Sequence, residues 1–152
     1  MKKINNHYSA EEIDYTLDMG GFINNGLADA LALLPKKIVD FAISKCAILT
    51  PELNSDGSTW NLDWRYINSR KWLIIISPKV WNKSSKKRAF IVAHEIAHAY
   101  LKHKVMEDIT DDKQHEMDAD TLAIEWLSGK WSKKELLKIC KYLGADKPHI
   151  IK

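Results

Sequence analysis

His94-Glu95-Ile96-Ala97-His98 constrains this chain more than any other stretch. It spells H-E-x-x-H within residues 89–101, a segment that is apolar nearly all round and free of Pro and Gly. That composition predicts a central, buried helix. Two imidazoles and a carboxylate are costly there unless they are paired or hold a metal. On a helix, residues i and i+4 lie on one face, one turn apart, so His94 and His98 can grip one ion. Glu95 then points about a quarter turn away, within reach of a water on that ion. Catalytic zinc takes three protein ligands and keeps one position open. Two are here, so the third must come from elsewhere.

His103 follows His94 by nine positions, about 900° of helix, and is expected on the opposite side as a surface or loop-contact residue. The H-E-x-x-H-x-x-G-x-x-H arrangement is excluded, because Leu101 and Lys104 stand at its Gly and His positions. A charged linker, 107–112, leads instead to a predicted helix over about 113–128, closed by Gly129. On it, Glu116 and Asp120 are four apart and share a face, beside an apolar stripe of Ala119, Ala123 and Leu127. Small Ala119 would let the two helices approach closely. Glu116 is therefore assigned as the third ligand. Asp120 is assigned as acceptor for the other ring N–H of a ligand histidine, which fixes its tautomer and raises its basicity. A competing account is that acids crowd this helix start only to suit its dipole.

The 152 residues suggest one domain, 1–152, with its core over about 35–144. The apolar fraction of 45% and charged fraction of 28% are ordinary for a soluble globular protein. A net charge of +3 is too small to argue for nucleic acid, so direct nucleic-acid binding is not expected. Lys83, Lys86, Lys87 and Arg88, and then Lys130, Lys133 and Lys134, read as solvated helix starts. Cys46 and Cys140 lie in apolar segments, as buried free thiols would. Residues 1–18 lack the apolar region of a signal peptide, and no run reaches membrane length. A cytoplasmic protein is expected.

Ser9-Ala10-Glu11-Glu12 is a capping box that starts a helix near residue 10, with Gly20-Gly21 as its stop. Asn24-Asn25 opens a second helix, and Pro35 the first turn of a third, with Ile38, Val39, Ala42 and Ile43 facing inward. Residues 46–49 form a short apolar run. Trp60, Leu62 and Trp64 alternate with polar residues as in a half-buried strand, and 72–76 reads as a second, more buried one. These two are expected to pair as an antiparallel hairpin. The central helix is predicted from Ser84-Ser85 to about Lys104. Ser132 to Glu135 is a second capping box, opening a last helix with Leu136, Leu137, Ile139, Cys140 and Leu143 inside. The fold class is α+β: a small antiparallel sheet packed on the central H-E-x-x-H helix, with further N- and C-terminal helices.

Residues 74–100 resemble the ImmA/IrrE family of zinc peptidases. That family has a hydrophobic strand followed by a basic R-x-x-x-A-H-E-x-x-H helix, matched by Arg88, Ala93, His94, Glu95 and His98. Its next helix carries E-x-E-A-N-x-F-A, which Glu116 to Ala123 follows with conservative changes; Asp120 also looks like the E-x-x-x-D element of other gluzincin peptidases. His103 falls where family members often have a histidine. The family's L-L-M-P ending is replaced by Trp126-Leu127-Ser128-Gly129. The resemblance implies a zincin-like domain holding Zn2+ on His94, His98 and Glu116. It implies a metallopeptidase in which Glu95 assists attack of zinc-bound water on a protein or peptide. It also suggests a transcriptional repressor of a mobile element or stress locus as the substrate.

The tetrahedral oxyanion of that chemistry needs a donor. Tyr66, Tyr100, His115, Tyr142 and His149 are the available types, and the sequence does not choose among them. Two other classes compete. One is a non-catalytic zinc-stabilised regulatory or interaction module with the same three ligands and an idle Glu95. The other is a metal-free protein that binds an anion through its basic clusters.

Overall fold

The computed structural model describes residues 7–17, 25–49, 72–103 and 112–142. The elements in chain order are α1 Ala10–Leu17, α2 Asn25–Leu31, α3 Lys36–Lys45, β1 Cys46–Leu49, β2 Trp72–Ile75, a single 3-10 turn Pro78–Val80, α4 Ser85–Leu101, α5 Asp112–Leu127 and α6 Lys133–Tyr142.

Both capping boxes form. The Ser9 N–H donates to Glu12 Oε2 at 2.7 Å and the Glu12 N–H to Ser9 Oγ at 3.2 Å, satisfying two amides that the first turn of α1 would leave bare. At α6 the Ser132 N–H reaches Glu135 Oε2 at 3.1 Å and the Glu135 N–H reaches Ser132 Oγ at 3.4 Å. Lys86 Nζ donates to Glu135 Oε1 at 2.6 Å and lies 5.6 Å from the Trp131 ring centre, tying the start of α4 to the start of α6. Pro35 stands one position before α3 rather than in its first turn: its ψ of 141° is extended, and its carbonyl accepts the amides of Ile38 and Val39.

Helix α4 is central. It packs against α2, α5, α6, β2 and the 3-10 turn. Its residues Ala89, Phe90, Val92, Ala93, Ile96 and Ala97 are buried. Burying a side chain the size of Phe90 stabilises by about 1.5–3 kcal/mol relative to leaving it exposed. On α5, Ala119, Ala123 and Leu127 are fully buried, the stripe expected from the sequence. Such small residues permit the short interaxial distances at which brief side chains on adjoining helices meet.

Two further features, the sheet and the end of α4, differ from expectation. The strands that pair are β1 and β2, and they are parallel, with Cys46 opposite Trp72 and Leu49 opposite Ile75. The antiparallel partner expected at 59–64 lies outside the described residues, as does the Gly20-Gly21 stop. A connection as long as 50–71 is ample for a parallel crossover, which needs a dozen or more residues. Strand β2 is also less buried than its unbroken apolar run suggested: Ile74 is buried, but Leu73 is 53% and Ile75 60% exposed. Among the described residues no helix is long and apolar enough to cross a membrane.

The second difference concerns the end of α4. The helix stops at Leu101, and Lys102 takes the left-handed conformation, φ 63° and ψ 34°. The Lys102 N–H donates to the Ala99 carbonyl at 3.2 Å and the His103 N–H to the His98 carbonyl at 3.0 Å. These are the two bonds of a Schellman stop. His103 is thus not a continuation of the helix, and the 900° rotation that placed it on the far side does not apply. The chain turns back and sets His103 beside His98.

Candidate metal centre

His94 and His98 project from one face of α4, and Glu116 faces them from α5. His94 Nε2 and His98 Nε2 are 3.0 Å apart. His94 Nε2 lies 3.2 Å from Glu116 Oε2, and His98 Nε2 lies 3.3 Å from Glu116 Oε1. The three side chains are the one group of potential metal donors found among the described residues. Donors on a tetrahedral zinc, each about 2.0–2.1 Å from the ion, sit roughly 3.3 Å apart. The observed separations have that size. Two imidazole nitrogens and a carboxylate oxygen are also donors that zinc accepts.

The surroundings orient these donors. Asp120, 1% exposed, brings Oδ1 to 2.9 Å from His94 Nδ1. An ionised carboxylate only accepts, so the shared proton belongs to His94 Nδ1 and Nε2 presents its lone pair to His98 and Glu116. His98 Nδ1 faces His103 Nδ1 at 3.0 Å. His103 in turn stacks on His115, the ring centres 4.1 Å apart and the planes inclined by 18°. The histidine side chains at 94 and 98 are 16% and 18% exposed, whereas that of Glu116 is 49% exposed. The two imidazoles are therefore largely shielded from solvent, whereas the Glu116 carboxylate is half exposed.

Electrostatics follow from this burial. Burial depresses His98, and the neighbouring His94, His103 and His115 add to the effect, bringing its pKa down to about 4. Burial also acts to lower His94, but the hydrogen bond and charge of Asp120, with Glu116 and Glu95, outweigh it and the net shift is upward. Glu95 is pushed above the usual carboxylate range by burial; His94 pulls it back and Glu116 adds to the rise. A carboxylate so raised is a better proton acceptor than one in water.

The structure thus brings together His94, Glu95, His98, Glu116 and Asp120. Among the candidate oxyanion donors, Tyr66 and His149 lie outside the described residues, as does the side chain of Tyr142. Tyr100 packs edge-on against Phe41 and Trp126. His115 is engaged in the stack with His103. Sequence reasoning missed the contact of His103 with His98; the missed signal was the weak helix end at Leu101-Lys102-His103, which has no glycine to announce it.

Comparison with known proteins gives one match. Residues 86–142, a minority of the chain that spans α4 from its second residue, α5 and α6, match the family model described as Peptidase U49. The segment that carries the H-E-x-x-H helix is therefore similar to a peptidase family, although the match does not name the ImmA/IrrE family that the motifs resemble. No curated protein and no solved structure matches the chain.

Proposed function

We propose that this chain is a zinc-dependent metallopeptidase that holds its ion on His94, His98 and Glu116 and hydrolyses a peptide bond in a protein or peptide. The observation that carries the reading is the convergence of two imidazole nitrogens and one carboxylate within 3.0–3.3 Å across two helices, with the carboxylate half exposed and no fourth protein donor grouped with them among the described residues. A structural zinc site is closed by four protein ligands, whereas a catalytic one keeps a position free. Zinc held there would supply Lewis acidity, polarising the scissile carbonyl and acidifying a water. Glu95, half-buried and raised in pKa, takes the water's proton and passes it to the leaving amine. Asp120 keeps the His94 proton on Nδ1. The similarity of 86–142 to a peptidase family supports the reaction class. The ImmA/IrrE resemblance points to a repressor-type substrate, and Cys46 and Cys140, both buried and neither in a disulfide, suit the reducing cytoplasm.

The test is zinc content and cleavage in three proteins. The wild-type chain should carry about one zinc per molecule. Glu116→Ala should lose it. Glu95→Gln should keep zinc and fold while cleavage of a peptide library falls by about 10²–10⁴-fold. A wild-type chain that takes up no zinc defeats the reading. A zinc-binding chain that cleaves nothing, and from which Glu95→Gln cannot be distinguished, is a zinc module with an idle Glu95; a Glu95→Gln variant that cleaves as well as wild type refutes the role given to Glu95.

A further inference from the structure

We infer that His103 is the positioning residue for His98: its Nδ1 accepts the His98 Nδ1–H and so holds the His98 Nε2 lone pair toward His94 and Glu116. The inference rests on the metal reading above and extends it to a residue outside the H-E-x-x-H and Glu116 set.

The two histidines of the motif have unlike partners. His94 is settled by a carboxylate, which can only accept. His98 faces another imidazole at 3.0 Å, and an imidazole can play either part. One proton lies between His98 Nδ1 and His103 Nδ1, and it has two possible owners. If it sits on His103, then neutral His98 carries its own proton on Nε2, pointed at His94 Nε2 and Glu116, and His98 cannot ligate. If it sits on His98 Nδ1, then Nε2 is bare, and His103 carries its proton on Nε2. Only the second arrangement gives the site two imidazole lone pairs.

The backbone delivers His103 to this place with little freedom. The Schellman stop ties the His103 amide to the carbonyl of His98 itself, so one residue supplies both the backbone anchor and the side-chain partner. From α5, His115 stacks on the His103 ring at 4.1 Å and limits its rotation. The imidazole at 103 is thus clamped from two elements with Nδ1 toward His98. Outer partners of ligand histidines commonly matter about 10–100-fold in metal affinity. Here the partner lies at the end of the same helix.

The experiment compares His103→Phe, His103→Leu and His103→Asn by zinc competition against a chromogenic chelator, with far-UV circular dichroism as the check on folding. Phe keeps a ring for His115 but offers no acceptor. Asn places an amide oxygen at the same number of bonds from the backbone as Nδ1. Zinc affinity should fall about 10–100-fold in His103→Phe and His103→Leu, and return to within about threefold of wild type in His103→Asn. A merely structural role would be met by Phe and not by Asn. The inference is overturned if wild type binds zinc, Glu116→Ala loses it, and His103→Phe binds as tightly as wild type. It is also overturned if Asn is no better than Leu in folded protein. If wild type itself takes up no zinc, the metal reading fails and the inference falls with it.

Discussion

Replacing Asp120 by Asn separates the two effects of a buried carboxylate. Asp120 is 1% exposed; its Oδ1 takes the His94 Nδ1–H at 2.9 Å, and its Oδ2 is buried with no hydrogen-bond partner among the described residues. Asn keeps the shape and can accept the same hydrogen bond through its amide oxygen. What it removes is the charge. A hydrogen bond to a charged group contributes about 1.5–3 kcal/mol against about 0.5–1.5 for a neutral one, so roughly 1 kcal/mol is lost there. Against this stands relief from desolvating a carboxylate with one bare oxygen, itself about 1–3 kcal/mol, less the cost of the amide NH2 now buried in its place. The terms nearly cancel. Stability of the metal-free protein should stay within about 1 kcal/mol of wild type in urea titration. Zinc affinity has no such compensation. His94 becomes a weaker base once the Asp120 charge that raises it is gone. A loss of about tenfold, roughly 1.4 kcal/mol, is expected in chelator competition. Unchanged zinc affinity in a folded Asp120→Asn protein would refute this role for Asp120. A loss of metal-free stability above about 2 kcal/mol would refute the cancellation.

Two further perturbations address the scaffold. Lys102 holds φ 63° in the stop of α4, a conformation that costs a residue with a Cβ about 1–2 kcal/mol. Lys102→Gly relieves this but adds unfolded-chain entropy of about 0.5–1 kcal/mol, so a urea midpoint equal to or slightly above wild type is expected; a clear fall would mean that the lysine side chain itself stabilises the turn. Glu135 is held down to about 2, first by the Lys86 hydrogen bond and then by Ser132. Its folded form therefore binds a proton less readily than the unfolded chain. The stability it contributes is complete above about pH 4.5, the usual value, and is lost as pH falls toward 2. Glu135→Gln should be less stable than wild type near pH 7 and should lose less on acidification through that window. Parallel acid-denaturation curves for the two proteins would contradict the coupling.

What could be read from sequence follows the range of the interactions involved. The H-E-x-x-H spacing implies a shared face because helical periodicity is local and strong, and α4 places His94 and His98 on that face with their Nε2 atoms 3.0 Å apart. The capping boxes at Ser9 and Ser132 are likewise contained within four residues. The α5 assignment needed one longer step. Glu116 and Asp120 share a face by spacing, and Ala119 and Ala123 make close approach possible, but only the packing of α5 on α4 brings Glu116 to both imidazoles. His103 was misread for a specific reason. Extending the helical period past Leu101 presumed a helix that lacked a glycine stop, while a lysine can enter the left-handed region at modest cost. The parallel pairing of Cys46–Leu49 with Trp72–Ile75 was illegible for another reason. Both runs are short and apolar, and such a run carries no mark of its partner or direction.

The placement of donors on two helices couples metal binding to packing. His94 and His98 belong to α4; Glu116 and Asp120 belong to α5. Asp120 has a single methylene between its carboxylate and the backbone, so its 2.9 Å approach to His94 requires the helices to lie close. Alanines at 93, 97, 119 and 123, all fully buried, are what such closeness demands, and each contributes less apolar area than a leucine would. The helix pair thus gives up some hydrophobic stabilisation for proximity. An ion gripping both helices favours the docked arrangement over any in which α5 has moved away, in proportion to its concentration relative to its dissociation constant. Loss of a donor that serves only the ion is then felt chiefly when metal is present. Loss of close packing is felt with or without it. That difference, rather than the size of either effect, distinguishes residues that hold the metal from residues that hold the helices.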